Sequence, residues 1–257
     1  MCRPTLQFLY LLLVLGLVAG LGLPAYAEGE LEDGFVSLFN GKDFSGWKVP
    51  EGDNGHWKVF EGVIDYDAAS EAKKDRNLWT ENEYGDFILK IDWRLKETSG
   101  LYKVPIVLKD GSYLTDANGD KLTIKMPNAD SGIFLRGMGK AQVNIWCWPI
   151  GSGEVYGYRN DATMPASVRA GVTPRVNADK PVGQWNQFTI IMIKDRLTVI
   201  ENNKMVLENA QLPGVPPTGP IALQHHGGVN QDGSYKPASS LIQFRNIWIK
   251  ALPAEDK

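Results

Sequence analysis

Cysteine is nearly missing from this 257-residue chain, which has only Cys2 and Cys147. Cys2 precedes an apolar run that is expected to be removed, so Cys147 stands alone. No intramolecular disulfide can then form, even in an oxidising compartment. Histidine is as scarce, at three residues, and no Cys/His ligand spacing of a zinc site accompanies them. A basic surplus is lacking too: the formal net charge is −3 and the pI near 5.7, which argues against nucleic acid as the main partner. No stretch keeps helical periodicity beyond a few turns, and there are no coiled-coil heptads or internal repeats. Nucleophile-elbow, phosphate-loop and zinc-helix motifs are absent. Also missing is the paired acidic strand motif with which a conventional glycosidase flanks its bond.

What remains is rich in aromatics and extended segments. Residues 1–27 read as a secretory signal peptide: a basic start at Arg3, an apolar run from Leu6 to Leu23, and a small-x-small site at Ala25-Tyr26-Ala27. The expectation is a secreted or periplasmic protein, residues 28–257, with no stable membrane insertion after cleavage. Strand-like runs occur at Phe35–Phe39, Trp57–Phe60, Phe87–Arg94, Gly132–Arg136, Gln142–Trp148, Gln187–Ile193, Arg196–Glu201, Pro220–His226 and Leu241–Lys250. Gly, Asn, Asp and Pro clusters separate them. Met164–Ala170 suggests one short helical turn. Many short strands in one domain indicate an all-β sandwich or barrel. Residues 98–130 read as an insertion. Within it, Asp116 to Asp120 imitates a calcium loop, but its glycine stands fourth rather than sixth and Pro127 takes the place of the closing glutamate. An Asn-Gly hairpin turn explains those letters better.

The chemistry concentrates between Arg136 and Tyr158. At the two-residue period of a strand, Gln142, Asn144, Trp146 and Trp148 share one face and Val143, Ile145 and Cys147 the other. The second face is core-like, which makes Cys147 a buried thiol rather than a nucleophile. The first suits a sugar, because indoles cover the C–H patches of a pyranose and amides satisfy its hydroxyls. The same alternation sets Arg136 beside Gly132 and Phe134, Gln224 with His226, Trp79 with Glu81, and Glu154 with Tyr156 and Tyr158. An antiparallel sheet with one apolar face and one polar-aromatic face is expected to carry a ligand groove outside.

Several segments then resemble a known family. They are Leu38-Phe-Asn-Gly-Lys-Asp-Phe-Ser-Gly-Trp47, Leu78-Trp-Thr-Glu81, Tyr84-Gly-Asp-Phe87, Ser131-Gly-Ile-Phe-Leu-Arg-Gly137, Gly183-Gln-Trp-Asn186, Gly219-Pro-Ile-Ala-Leu-Gln-His-His226 and Phe244-Arg-Asn-Ile-Trp-Ile-Lys250. In this order they resemble the 3-keto-disaccharide hydrolase domain family. The resemblance implies a concanavalin A-like jelly-roll β-sandwich of two antiparallel sheets, one with a concave ligand groove. It further implies a secreted bacterial protein acting on oligosaccharides or keto-glycosides oxidised at C3. Many members carry acidic residues and a glutamine around the positions of Gln142, Asn144 and Cys147, so this chain departs from the pattern there.

A ketone at C3 acidifies the C2 proton, so one base suffices to form an enediolate from which the C1 group is eliminated and water later adds. On this expectation His226 and Glu154 serve as base and acid, in either order, and Arg136 stabilises the developing charge. Gln142, Asn144 and Gln224 hold hydroxyls. Trp146 and Trp148, with Trp79, Glu81, Tyr156 and Tyr158, complete the substrate site. The sequence requires no cofactor, and a divalent metal is an alternative to Arg136. The competing expectations are a non-catalytic lectin-like module and a conventional endoglucanase.

Overall fold

The computed structural model describes residues 34–253, apart from 68, 73, 230–231, 233–234 and 237–239. The expected signal peptide, residues 1–27, lies outside the described residues. The strands, in chain order, begin with β1 (Val36–Ser37), β2 (Trp47–Lys48), β3 (Trp57–Phe60), β4 (Val63–Tyr66), β5 (Leu78–Thr80), β6 (Phe87–Thr98), β7 (Leu101–Pro105), β8 (Thr123–Pro127) and β9 (Asp130–Leu135). There follow β10 (Met138–Trp146), the helical turns α1 (Tyr156–Arg159) and α2 (Ala166–Gly171), β11 (Asn186–Ile193), β12 (Arg196–Glu201) and β13 (Lys204–Gln211). Last come β14 (Ala222–Leu223), β15 (Gly228–Val229), β16 (Tyr235–Lys236) and β17 (Ser240–Ala251).

Two antiparallel sheets form the sandwich. The larger has eight strands on the path β13-β12-β11-β6-β17-β4-β3, with β1 also pairing β17; the smaller has five in the order β10-β9-β14-β5-β2. Alternation dictates which side chains meet between them. Along β6, Phe87, Leu89, Ile91, Trp93 and Leu95 are buried, with half-buried residues between. Phe188, Ile190 and Met192 of β11 continue that apolar face, and Ile133, Leu135, Val143 and Ile145 oppose it from β9 and β10. Removing each such side chain from water contributes roughly 1.5–3 kcal/mol, which is what holds the sheets face to face.

Tight turns set the registers. Leu135 pairs with Met138 across a two-residue turn, where Arg136 and Gly137 have φ of +50° and +68°. Asn202 and Asn203, at +47° and +65°, make the matching turn between β12 and β13. Both are turns whose left-handed residues follow the twist of a hairpin. Between β6 and β9, the β7–β8 hairpin extends as a separate ribbon, with further bridges at Val107–Tyr113 and Thr115–Lys121. At its tip the Asp116 carboxylate accepts the N–H groups of Asn118 and Asp120. Among the described residues, no helix is long and apolar enough to cross a membrane.

Candidate functional site

The outer face of the five-stranded sheet is unusually sheltered. An antiparallel sheet packed on one side normally wets the other, yet here Phe134, Asn144 and Trp146 are all less than a tenth exposed. Cross-strand registers arrange this face in rows. Trp79, Ala222, Phe134 and Gln142 form one row, and Gln224, Gly132 and Asn144 the next. Trp79 stacks on Phe134 with ring centroids 5.9 Å apart and planes 18° from parallel, making a flat aromatic platform. Gln142 Nε2 donates to Gln224 Oε1 at 2.6 Å, so the two amides bridge over Gly132. A Cβ at position 132 would fall 2.5 Å from Gln142 Nε2, so glycine is what lets the bridge cross.

Asp130, opposite Trp146, belongs to the third row. His226 Nε2 lies 3.0 Å from Asp130 Oδ2, with both side chains a little over a third exposed. With Nε2–H donating to the carboxylate, the basic lone pair falls on Nδ1. Burial pushes the Asp130 carboxyl above its ordinary range, and His226 opposes that shift. The neighbouring His225 faces inward. It packs 4.1 Å from the Tyr66 ring and accepts the Gly227 N–H on Nδ1, and burial lowers its pKa to about 4.

Trp146 and Trp148 are not open platforms. Their rings lie flat together at 4.1 Å and 5°, and they form a small core with Val104 beneath Tyr102 and Met126 of the β7–β8 hairpin. Trp146 Nε1 donates to Gly151 O, and Trp148 Nε1 to the Tyr102 hydroxyl. Tyr156 stands edge-on to both indoles at 6.0 and 6.2 Å and is 37% exposed. Burial, followed by Tyr113 and Asp130, raises the Tyr156 hydroxyl above its ordinary value.

Other expected residues lie elsewhere. Arg136 is not on the groove face, because β9 ends at Leu135 and the turn carries the side chain away. Fully buried, its guanidinium donates to the carbonyls of Gly85, Lys194 and Pro216 and pairs with Asp86 at 2.8 Å. Glu154 does not share a strand face with Tyr156 and Tyr158, since α1 begins at Tyr156. Its carboxylate is fully buried against Arg159, whose guanidinium sits over the rings of Tyr113 and Tyr156. Tyr158 is buried on the far side of α1, its hydroxyl donating to Pro213 O. Asn144 is 3% exposed and donates to Glu154 O, which leaves it a bracing amide. Glu81 is exposed just beyond β5.

The structure therefore groups Trp79, Gln142, Gln224 and His226, with Tyr156 at the edge beside Trp146 and within reach of the Asp130 charge, and it adds Phe134 and Asp130, which the sequence reading passed over. Asp130 has the same parity as Gly132 and Phe134, so extending that strand by two residues reaches it. Among the described residues, no three His, Cys, Asp or Glu side chains cluster closely enough to hold a metal ion.

Comparison with known proteins bears on this arrangement. A family model described as the 3-keto-alpha-glucoside-1,2-lyase-like domain matches residues 34–250. No curated protein matches the chain. A protein of Parabacteroides distasonis ATCC 8503, classed as a glycosyl hydrolase, has a similar structure, with TM-score 0.53 and 24% identity over 86% of this chain and 84% of its own. A second from that organism, of the same class, gives 0.50 and 20% over 85% and 99%. At these identities the likeness shows a shared β-sandwich fold.

Proposed function

This chain belongs to the 3-keto-alpha-glucoside-1,2-lyase-like domain family, and from that premise we propose that the outer face of its five-stranded sheet cleaves glucosides oxidised at C3. The family is carbohydrate-active. The observation that carries the finer reading is the His226–Asp130 pair standing beside the Gln142–Gln224 bridge on one sheltered face.

In this reading Asp130 holds His226 Nε2–H, and Nδ1 takes the proton from C2. The C2–H electrons move into an enediolate whose oxygen is met by the amide N–H groups of Gln142 and Gln224, in the role first considered for Arg136. The C1–O bond breaks as the C1–C2 double bond forms. The departing oxygen takes the proton of the Tyr156 hydroxyl, a phenol that is protonated at neutral pH. Solvent then returns a proton to Tyr156 and removes one from His226. Water addition to the product completes a net hydrolysis. Trp79 and Phe134 carry the apolar face of the sugar.

A positioned general base typically contributes about 10²–10⁴-fold. His226→Ala is therefore expected to lower turnover of a 3-keto-glucoside by at least about a hundredfold while leaving the circular dichroism spectrum unchanged. Asp130→Asn, which disturbs the tautomer, should lower it less. Undiminished turnover by His226→Ala removes the base from this scheme. A lectin-like module is the second reading, favoured by the amide at 142, where the family resemblance implies an acidic residue in many members. Incubation with a 3-keto-disaccharide and with its unoxidised parent separates the two: cleavage of the first alone supports the enzyme, and binding of both without cleavage supports the module.

A further inference from the structure

Behind Trp146 and Trp148, where β10 ends, a cleft of about 310 Å³ opens that the scheme above does not use. Its apolar walls are Trp93 and Leu95 of β6, the two indoles, and Val182; Asn177, Asp179, Lys180 and Asn186 supply polar groups. The volume falls at the small end of the range for ligand pockets.

The polar end of this cleft is a carboxylate pair. Asp179 Oδ1 and Oδ2 accept the Ser152 N–H at 3.1 and 3.2 Å. Glu201, at the end of β12, lies against Asp179 and is completely buried, and neither of its oxygens meets an N–H or O–H donor. Two carboxylates can share a bond only through a proton, so the pair must keep one. Burial and the Asp179 charge push Glu201 up to about 10, which places that proton on Glu201. Asp179 is also pushed upward by burial, while the bonds from Glu201 and Ser152 oppose the shift. The shared proton leaves the pair short of its full charge at neutral pH, and Lys180 and Lys204 act on it. A charged ligand would upset that balance, whereas a neutral hydroxyl finds a ready acceptor in Asp179.

We propose that this cleft is a second binding site for one neutral pyranose ring, with a sugar hydroxyl donating to Asp179 and the apolar ring face against the exposed Val182. Glu201 is a positioning residue: its O–H holds Asp179 at the cleft wall. This site stands independently of the cleavage scheme and needs no keto group.

The test is glucose titration of the full protein followed by tryptophan fluorescence, with a glucose-soaked crystal to locate the ring. Wild type should show saturable binding, with the sugar beside Asp179. Asp179→Asn should weaken it at least tenfold. Glu201→Gln, which keeps a neutral donor toward Asp179, should bind like wild type, while Glu201→Leu, which strips that donor, should lose at least tenfold. Val182→Trp, which fills the cleft without touching the carboxylates, should abolish binding and guards against a misfolded Asp179 variant. No saturable binding, an unchanged affinity in Asp179→Asn, or glucose found only on the groove face would each overturn the proposal. Turnover of a 3-keto-glucoside, measured separately, decides the cleavage scheme.

Discussion

Arg136 and Glu154 show how a residue with catalytic credentials becomes a brace. Each is fully buried, and each is held by an opposite charge: Arg136 by Asp86, Glu154 by Arg159. Arg136 also spends its donors on three carbonyls, which pins the turn against Gly219 and Pro220. Removing one partner from a buried pair leaves a charge without compensation, which costs about 3–5 kcal/mol. Arg136→Met and Glu154→Gln should each lower unfolding stability by about that amount in urea titrations. The fraction that remains folded should keep its kcat on a 3-keto-glucoside. A large kcat loss in a folded, stable Arg136→Met would return that residue to the chemistry.

At the scale of elements, alternation was readable wherever the chain stays extended and misleading just past its ends. Val143 and Ile145 are buried inward and Gln142 faces the groove, because β10 runs unbroken from the bulge before Gln142 to Trp146. Trp148 lies beyond that strand. Two residues along a strand span about 6.7 Å, whereas its ring stacks 4.1 Å from Trp146. What covers both rings is the β7–β8 hairpin, which the sequence marks as an inserted segment without saying where it folds back. The hairpin is consequently a lid on an aromatic core. Replacing residues 101–127 by a short Gly-Ser link should expose both indoles, shift tryptophan emission to the red and weaken sugar binding. The sandwich should still unfold cooperatively, since its main core lies between the large sheets. Unshifted emission would mean that the indoles are shielded by something else.

For the molecule as a whole, the two-sheet architecture was legible because strand spacing and turn residues are local signals. The Asp179–Glu201 pair was not: its members lie on separate elements, and each alone resembles a solvated carboxylate. That pair and His225 together shape stability against pH. His225 is held below its ordinary 6.5, at about 4, so it is neutral when folded and protonates first in the unfolded chain. Its contribution is present above pH 6.5 and is lost as pH falls toward 4, by about 3 kcal/mol in all. Glu201 runs the other way. Raised from 4.5 to about 10, it keeps its proton when folded, so its contribution is full below pH 4.5 and is lost as pH rises toward 10. Between 4.5 and 6.5 the two effects oppose each other, and above 6.5 only the Glu201 loss remains. Asp179, Lys180 and Lys204 set the size of that alkaline slope, and Cys147, whose thiol is pushed up to about 11, adds its own loss only as pH rises past 9.0. Glu201→Gln replaces the protonated acid by a neutral amide of the same shape. It should flatten the decline between pH 6.5 and 9 and make the variant more stable than wild type at pH 9, as read from urea midpoints across that range. Parallel wild-type and variant profiles would show that no proton is held between Asp179 and Glu201.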